Sequence, residues 1–218
     1  LKGDVTECAK HGGTCNGYQP ANKTTGTYEV DGNNDTQDEV YEISNAGQLY
    51  WFADKINNEN ATYKNINAVL TKDITVNEGV LSDGKLNEEK VSTFRSWTPI
   101  GYYDSVAEID YSFTGIFDGQ GNTISGLYFS DSKKSYVGLF GESVGKIKRV
   151  NVNDSYYCGK DSVGAICGLI FNKGTIEDSN NINSFVSGTG KYVGGVCGRN
   201  YDGTITNCEN TGNVSNVG

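Results

Sequence analysis

One phrase occurs three times in the second half of the chain, and it constrains the fold more than any other feature. The copies are Tyr136-Val137-Gly138-Leu139-Phe140-Gly141, Val163-Gly164-Ala165-Ile166-Cys167-Gly168 and Val193-Gly194-Gly195-Val196-Cys197-Gly198. Each is followed by a shorter phrase: Gly145-Lys146-Ile147, Gly174-Thr175-Ile176 and Gly203-Thr204-Ile205. The closing glycines of the long phrase are 27 and 30 residues apart, and the glycines of the short phrase are 29 apart both times. A fixed period in this range belongs to stacked units. A unit this short cannot bury its apolar face alone, so it must lie against its neighbours. The expectation is therefore an all-β solenoid, an architecture that presents a long surface more often than a catalytic cleft.

Composition agrees. Among 218 residues there are 29 Gly, 2 Pro and no Met. The glycines fall between short apolar runs, as in strands joined by tight corners. A net charge of −9 with no Lys/Arg cluster argues against nucleic acid as a partner. No apolar run is long enough to span a membrane, so no membrane insertion is expected within this chain. The coat of Asn, Asp, Ser, Thr and Gly suits a secreted or cell-surface protein, and six cysteines are compatible with an oxidising compartment. The chain opens on Leu1 rather than Met and ends at Gly218 part-way through what reads as another unit. We therefore expect a fragment of a longer protein, with any signal or anchor outside it.

Residues 1–40 carry no apolar periodicity and read as a leader or linker. Residues 41–218 read as the repeat domain, clearest over 113–218. Tyr41-Glu42-Ile43 reads as a short strand. Asn45 can cap a helix, with Gln48 as its capping-box partner, and Leu49, Phe52, Ala53 and Ile56 form one apolar stripe. This predicts a helix over about 45–57, placed to cover the exposed edge of the first unit. Strands follow around Ala68–Val76. Residues 77–95 read as a polar excursion, and Trp97-Thr98-Pro99-Ile100-Gly101 returns to the stack.

The ordered phrases Leu70–Ile74, Trp97–Gly101, Phe113–Ile124 and Val137–Gly141 together resemble bacterial GLUG-repeat proteins, over roughly residues 41–218. The resemblance implies a parallel β-helix on a secreted or cell-surface protein, often adhesin-like, with a protease domain elsewhere in some members. This chain departs in placing Cys167 and Cys197 where an aliphatic residue is more usual. In such a stack, neighbouring strands lie about 4.8 Å apart and equivalent side chains form ladders. Ile147, Ile176 and Ile205 should make one interior ladder, and Val137, Val163 and Val193 another. Gly138, Gly164 and Gly194 then sit where the chain bends or another backbone comes close. Cys167 and Cys197 share a register close enough for a disulfide, and a pair of buried free thiols is the alternative. Cys158 and Cys208 fall in different registers and are not paired.

In Asp31–Glu42, oxygen-bearing side chains recur with the spacing of an EF-hand loop, making Asp31, Asn33, Asp35 and Glu42 weak calcium candidates, with a Gln37 carbonyl. Thr36 stands where that loop needs glycine, and no flanking helices are evident, so no cofactor is expected. Cys8, His11 and Cys15 offer three zinc ligands without a fourth, and a local Cys8–Cys15 disulfide is the simpler reading. Asp118 could be a catalytic carboxylate, but it has no converging partners in the sequence and reads as a turn residue before Gly119. Tyr102-Tyr103 and Tyr156-Tyr157 should each place one ring outward, where it can stack on a sugar, anchor a partner or simply cover sheet surface. Asn-x-Ser/Thr occurs at Asn22, Asn34, Asn60, Asn153 and Asn213, and matters only in a eukaryotic source. The functional expectation is a non-enzymatic extracellular or surface module, adhesin- or scaffold-like, whose partner is a protein or glycan at the cell surface. The rival is a carbohydrate-active β-helix enzyme, either a polysaccharide lyase or a glycoside hydrolase.

Overall fold

The computed structural model describes residues 18–33, 38–63 and 65–218. The protein is mostly β, with one substantial helix and its strands gathered into several parallel sheets. The first sheet has seven strands in the order Asn22–Tyr28, Asp38–Ile43, Asn67–Leu70, Ile116–Asp118, Lys146–Lys148, Thr175–Glu177 and Thr204–Thr206. Only its first pair is antiparallel. The second sheet holds Ile74–Thr75, Thr123–Ser125, Asn151–Asn153 and Asn180–Ile182. The third holds Tyr128–Ser130, Tyr156–Gly159, Phe185–Gly188 and Asn213–Asn216, and the fourth Phe140–Ser143, Cys167–Phe171 and Cys197–Tyr201.

From Phe140 onward the chain visits the fourth, first, second and third sheets in that order, then repeats the circuit. The phrases noticed in the sequence set the register. Ile147 pairs with Ile176 and Ile176 with Ile205, while Val137, Val163 and Val193 are bridged in turn. Parallel in-register pairing brings each apolar residue against its equivalent, so each circuit buries the face of the one before. The isoleucine ladder continues upstream through Phe117, Ala68 and Tyr41, which the sequence alone did not show. At Gly138 an added Cβ would lie 2.4 Å from the Gly164 carbonyl oxygen, so the long phrase needs glycine for backbone approach.

The corners use left-handed backbone. Arg149, Asp178 and Asn207, one per circuit, have φ of 52°, 49° and 53° between the first and second sheets. Asp and Asn accept this conformation at low cost, which explains part of the chain's Asn/Asp content. Serine hydroxyls tie corner to corner. Ser155 accepts from the Leu127 N–H at 3.0 Å and donates to the Asn153 carbonyl at 2.8 Å, and Ser179 and Ser184 repeat the arrangement one circuit on.

The helix, α1, spans Ala46–Asn58. Asn45 caps it as expected, its side chain accepting from the Gln48 N–H at 3.0 Å. The return bond differs by one residue: Gln48 Oε1 accepts from the Ser44 N–H and hydroxyl rather than from Asn45. Leu49, Phe52 and Ile56 are fully buried, and the Phe52 ring lies 5.9 Å from Phe113 and 5.8 Å from Phe117. In the chain the helix connects the second and third strands of the first sheet, which pair directly with each other. At that level the other sheets contribute no strands, so its apolar stripe meets the core instead.

Part of the segment expected to be a leader is ordered. Asn22–Tyr28 forms a strand antiparallel to Asp38–Ile43 and extends the first sheet. Its side chains are mostly polar and exposed, so it has no period to detect; the pairing comes from backbone hydrogen bonds. The 77–95 excursion contains the hairpin Leu81–Ser82/Lys85–Leu86, and a second hairpin, Tyr103–Asp104/Ile109–Asp110, leaves the stack just after Gly101.

Candidate functional site

Beside the helix lies a cleft of about 550 Å³. The helix supplies Tyr50, Asp54, Asn57 and Asn58; residues of the 98–103 and 129–136 stretches line the rest, together with Tyr18. Asn57 fixes the helix to its neighbour, donating to the Pro99 carbonyl at 2.9 Å and accepting from the Gly101 N–H at 2.8 Å. Asp54 accepts from the Tyr18 hydroxyl at 2.5 Å and from the Asn58 amide at 2.8 Å. Burial and the neighbouring Asp54 carboxylate push the Tyr18 hydroxyl well above its ordinary pKa, so it stays a neutral donor. The Tyr50 ring carries the Arg95 guanidinium over its face and meets Trp97 edge-on, and its hydroxyl donates to the Ser96 carbonyl at 2.9 Å. Tyr103 and Tyr136, by contrast, are 50% and 37% exposed. Tyr136 sits at φ 63°, a strained setting for an aromatic residue, just before the first copy of the repeated phrase.

Of the adjacent tyrosine pairs, Tyr103 points outward while Tyr102 stacks on Tyr111 at 4.8 Å. Tyr157 is buried; Tyr156 is half-buried and stacks between Tyr128 and Phe185, at 6.0 and 5.5 Å.

Asp118 is completely buried. It accepts from the Gln120 N–H at 2.9 Å, the turn role expected of it, and also from Arg149 and Gln120 side chains. The Arg149 partnership is not legible in the sequence, because the two residues lie 31 positions apart.

A second carboxylate is more unusual. Glu142, in the fourth sheet, is buried beneath the Tyr103–Asp110 hairpin, and its pKa is raised to about 7. The main cause is burial, reinforced by the Asp110 carboxylate and opposed by hydrogen bonds from Ser112 and the Tyr103 N–H. It does not line the cleft.

Of the calcium candidates, Asp31, Asn33 and Glu42 are among the described residues. Asp31 clusters with Glu29 and Asp38, their oxygens within 4.8 Å of one another. Within this group, Asp38 accepts from the Val30 N–H at 2.6 Å and Asp31 from the Asn33 N–H at 3.0 Å. Glu42 faces elsewhere, accepting from the Tyr28 hydroxyl at 3.1 Å. Asp35, Thr36 and Gln37 lie outside the described residues, as do Asn34 and the Cys8, His11 and Cys15 group. Among the described residues Cys158, Cys167, Cys197 and Cys208 are free thiols. Cys167 and Cys197 are register partners, as expected, but each donates along its own strand, to the Leu169 and Arg199 carbonyls, both at 3.2 Å.

Among the described residues no helix is long and apolar enough to cross a membrane. The chain is 27% identical over 168 residues to Halomucin of Haloquadratum walsbyi (strain DSM 16790 / HBSQ001). That match takes in 72% of this chain but 2% of Halomucin, so the chain spans only a small part of that relative. A crystal structure described as a putative immunoglobulin A1 protease from Bacteroides ovatus is similar over 83% of this chain and 58% of its own, at 19% identity and a TM-score of 0.49. A family model described as the GLUG motif matches residues 189–215, from just before the third copy of the long phrase to the last strand of the third sheet. The resemblance read from the ordered phrases therefore holds: the chain carries the GLUG motif.

Proposed function

We propose that the chain is a non-enzymatic, surface-displayed β-solenoid module, secreted or cell-surface, which presents a binding face. The observation that carries this reading is the in-register stacking of equivalent residues circuit upon circuit, ending in the GLUG motif. Such a stack sets its outward faces rigidly over a long distance, which suits adhesion or scaffolding. In this reading α1 is the cap of the first circuit, and the repeat domain extends back to the strand Asn22–Tyr28. The similarity to part of Halomucin supports display as one segment of a longer polypeptide. The test is localisation. An antibody raised against these 218 residues should label intact cells of the source organism, and brief external protease should remove the signal. Labelling only after permeabilisation would overturn the reading.

The enzymatic alternative has one observation in its favour: the Glu142–Asp110 carboxylate pair, with the Glu142 pKa raised toward neutrality. Raised carboxyl pKa values cluster at catalytic sites. Glu142 is enclosed beneath a hairpin, however, so we read the pair as structural. Release of reducing ends from a polysaccharide panel by the wild type but not by Glu142→Gln would reverse that assignment.

A further inference from the structure

We propose that the cleft beside the helix binds a short neutral oligosaccharide, which deepens the surface-module reading and rests on it. The volume of about 550 Å³ lies within the usual range for small-ligand sites, about 300–1,000 Å³. Its two exposed rings, Tyr103 and Tyr136, offer electron-rich faces to the C–H-bearing face of a pyranose. They sit in the same cleft as polar groups with unused capacity. Asp54 accepts one bond on each oxygen, from Tyr18 and Asn58, and a carboxylate has about four lone-pair positions. Asp131, an exposed residue, accepts from the Lys133 N–H through Oδ1. Asn58 uses its amide on Asp54, so its carbonyl oxygen is available. Lys134 adds a donor. Rings flanked by acceptors and a donor match a ligand carrying hydroxyls around apolar C–H faces.

The same groups decide the ligand's charge. The lining carries Asp54 and Asp131 against Lys134, within a chain of net charge −9. A uronate or sulfated sugar would be repelled over the approach path. A proline-rich peptide also docks on aromatic grooves. It would leave the Asp54 and Asp131 oxygens covered by groups that cannot donate, since proline lacks an N–H. The sugar is the better match.

The test is calorimetry of the 218-residue chain against neutral tetrasaccharides of glucose, galactose, mannose and N-acetylglucosamine, with an oligouronate and a polyproline peptide as further arms. We expect saturable binding of at least one neutral sugar. Combining Tyr103→Ala with Tyr136→Asn should weaken it about tenfold or more, since aromatic anchors dominate such sites. Asparagine at 136 tolerates the left-handed backbone, so the variant should fold. Asp131→Ala, at an exposed position, is the second variant and should weaken binding with an unchanged melting temperature. Four results would overturn the proposal: no neutral sugar bound, tighter binding of the uronate, binding of the peptide alone, or affinity unchanged in both variants. Surface labelling of intact cells together with a sugar-blind cleft would remove this proposal and leave the surface-module reading standing.

Discussion

Arg149 reaches across to the preceding strand and clasps the buried carboxylate of Asp118, its Nε 3.0 Å from Oδ1 and its Nη2 bonded to Oδ2. Lys148 adds a second positive group, its Nζ 3.6 Å from Oδ2 and donating to the Val30 carbonyl at 2.7 Å. One carboxylate thus ties together the turn at Gln120, the corner at Arg149 and the edge of the added hairpin. The Asp118 carboxylate also holds the Arg149 guanidinium above its ordinary pKa, so this arginine stays charged. Removing one partner of such a pair leaves uncompensated charge and unmade hydrogen bonds. Arg149 is partly exposed, so water recovers some of the loss. Asp118→Ala should therefore lower unfolding stability by about 2–4 kcal/mol in urea titrations. A loss under about 0.5 kcal/mol would show the pair to be incidental.

Ile176 lies between Ile147 and Ile205 and is fully buried. Ile176→Asp would place a charge between two circuits with no partner, and it should abolish cooperative unfolding near room temperature. Ile205→Asp, at the partly buried end of the same ladder, should cost roughly half as much, because water reaches it. Equal effects at both positions would contradict the ladder as the source of stability.

Glu142 makes stability depend on pH. Its folded pKa is raised, so between its unfolded value of 4.5 and about 7 the folded state binds more protons than the unfolded state. Stability must then fall as pH rises through that window, contrary to a salt-bridged carboxylate. A shift of this size, discounted for the relaxation that accompanies burial of a charge, contributes about 1–2 kcal/mol, or roughly 2–8 °C in melting temperature. The Asp110 carboxylate raises the Glu142 pKa further, while the Ser112 hydrogen bond opposes the shift. Differential scanning fluorimetry from pH 5 to 8 should show the decline in the wild type and a flatter profile in Glu142→Gln. Parallel profiles would assign the pH dependence to other groups.

The thiols should be inert. Burial pushes Cys167 well above the ordinary thiol range and Cys197 up to about 12, so neither is appreciably ionised at pH 8. Alkylation at pH 8 should label these two residues at least about 100-fold faster in denaturant than in the folded protein, as read by peptide mass spectrometry. A native protein that yields a Cys167–Cys197 cross-linked peptide under non-reducing conditions would show instead that the register pair closes into a disulfide.

Much of the stack was legible because repetition reports on itself. The spacing of Ile147, Ile176 and Ile205 fixes which residues pair, and the helix announces itself through Asn45 and the Leu49–Ile56 stripe. The strand Asn22–Tyr28 was not legible: an edge strand with mostly solvated side chains is selected by backbone pairing, which leaves no apolar pattern. The calcium spacing was legible, and its middle residues, Asp35 to Gln37, lie outside the described residues. Spacing alone could not show that Glu42 bonds Tyr28 or that Asp31 lies beside Glu29 and Asp38, because those meetings depend on the pairing of Asn22–Tyr28 with Asp38–Ile43.

What the sequence by itself determined is the periodic part: parallel strands, interior ladders, glycines at close backbone contacts and the GLUG motif. Those follow from local pattern multiplied by a fixed period, so each circuit constrains the next. The cleft, the Glu142–Asp110 pair and the Asp118–Arg149 clasp were decided only by tertiary structure. They join residues that share no spacing, such as Tyr18, Asp54 and Tyr136, or Asp110 and Glu142. Their meeting depends on how the helix and two hairpins leave and rejoin the stack, and their chemistry depends on burial, which exists only once those pieces have packed.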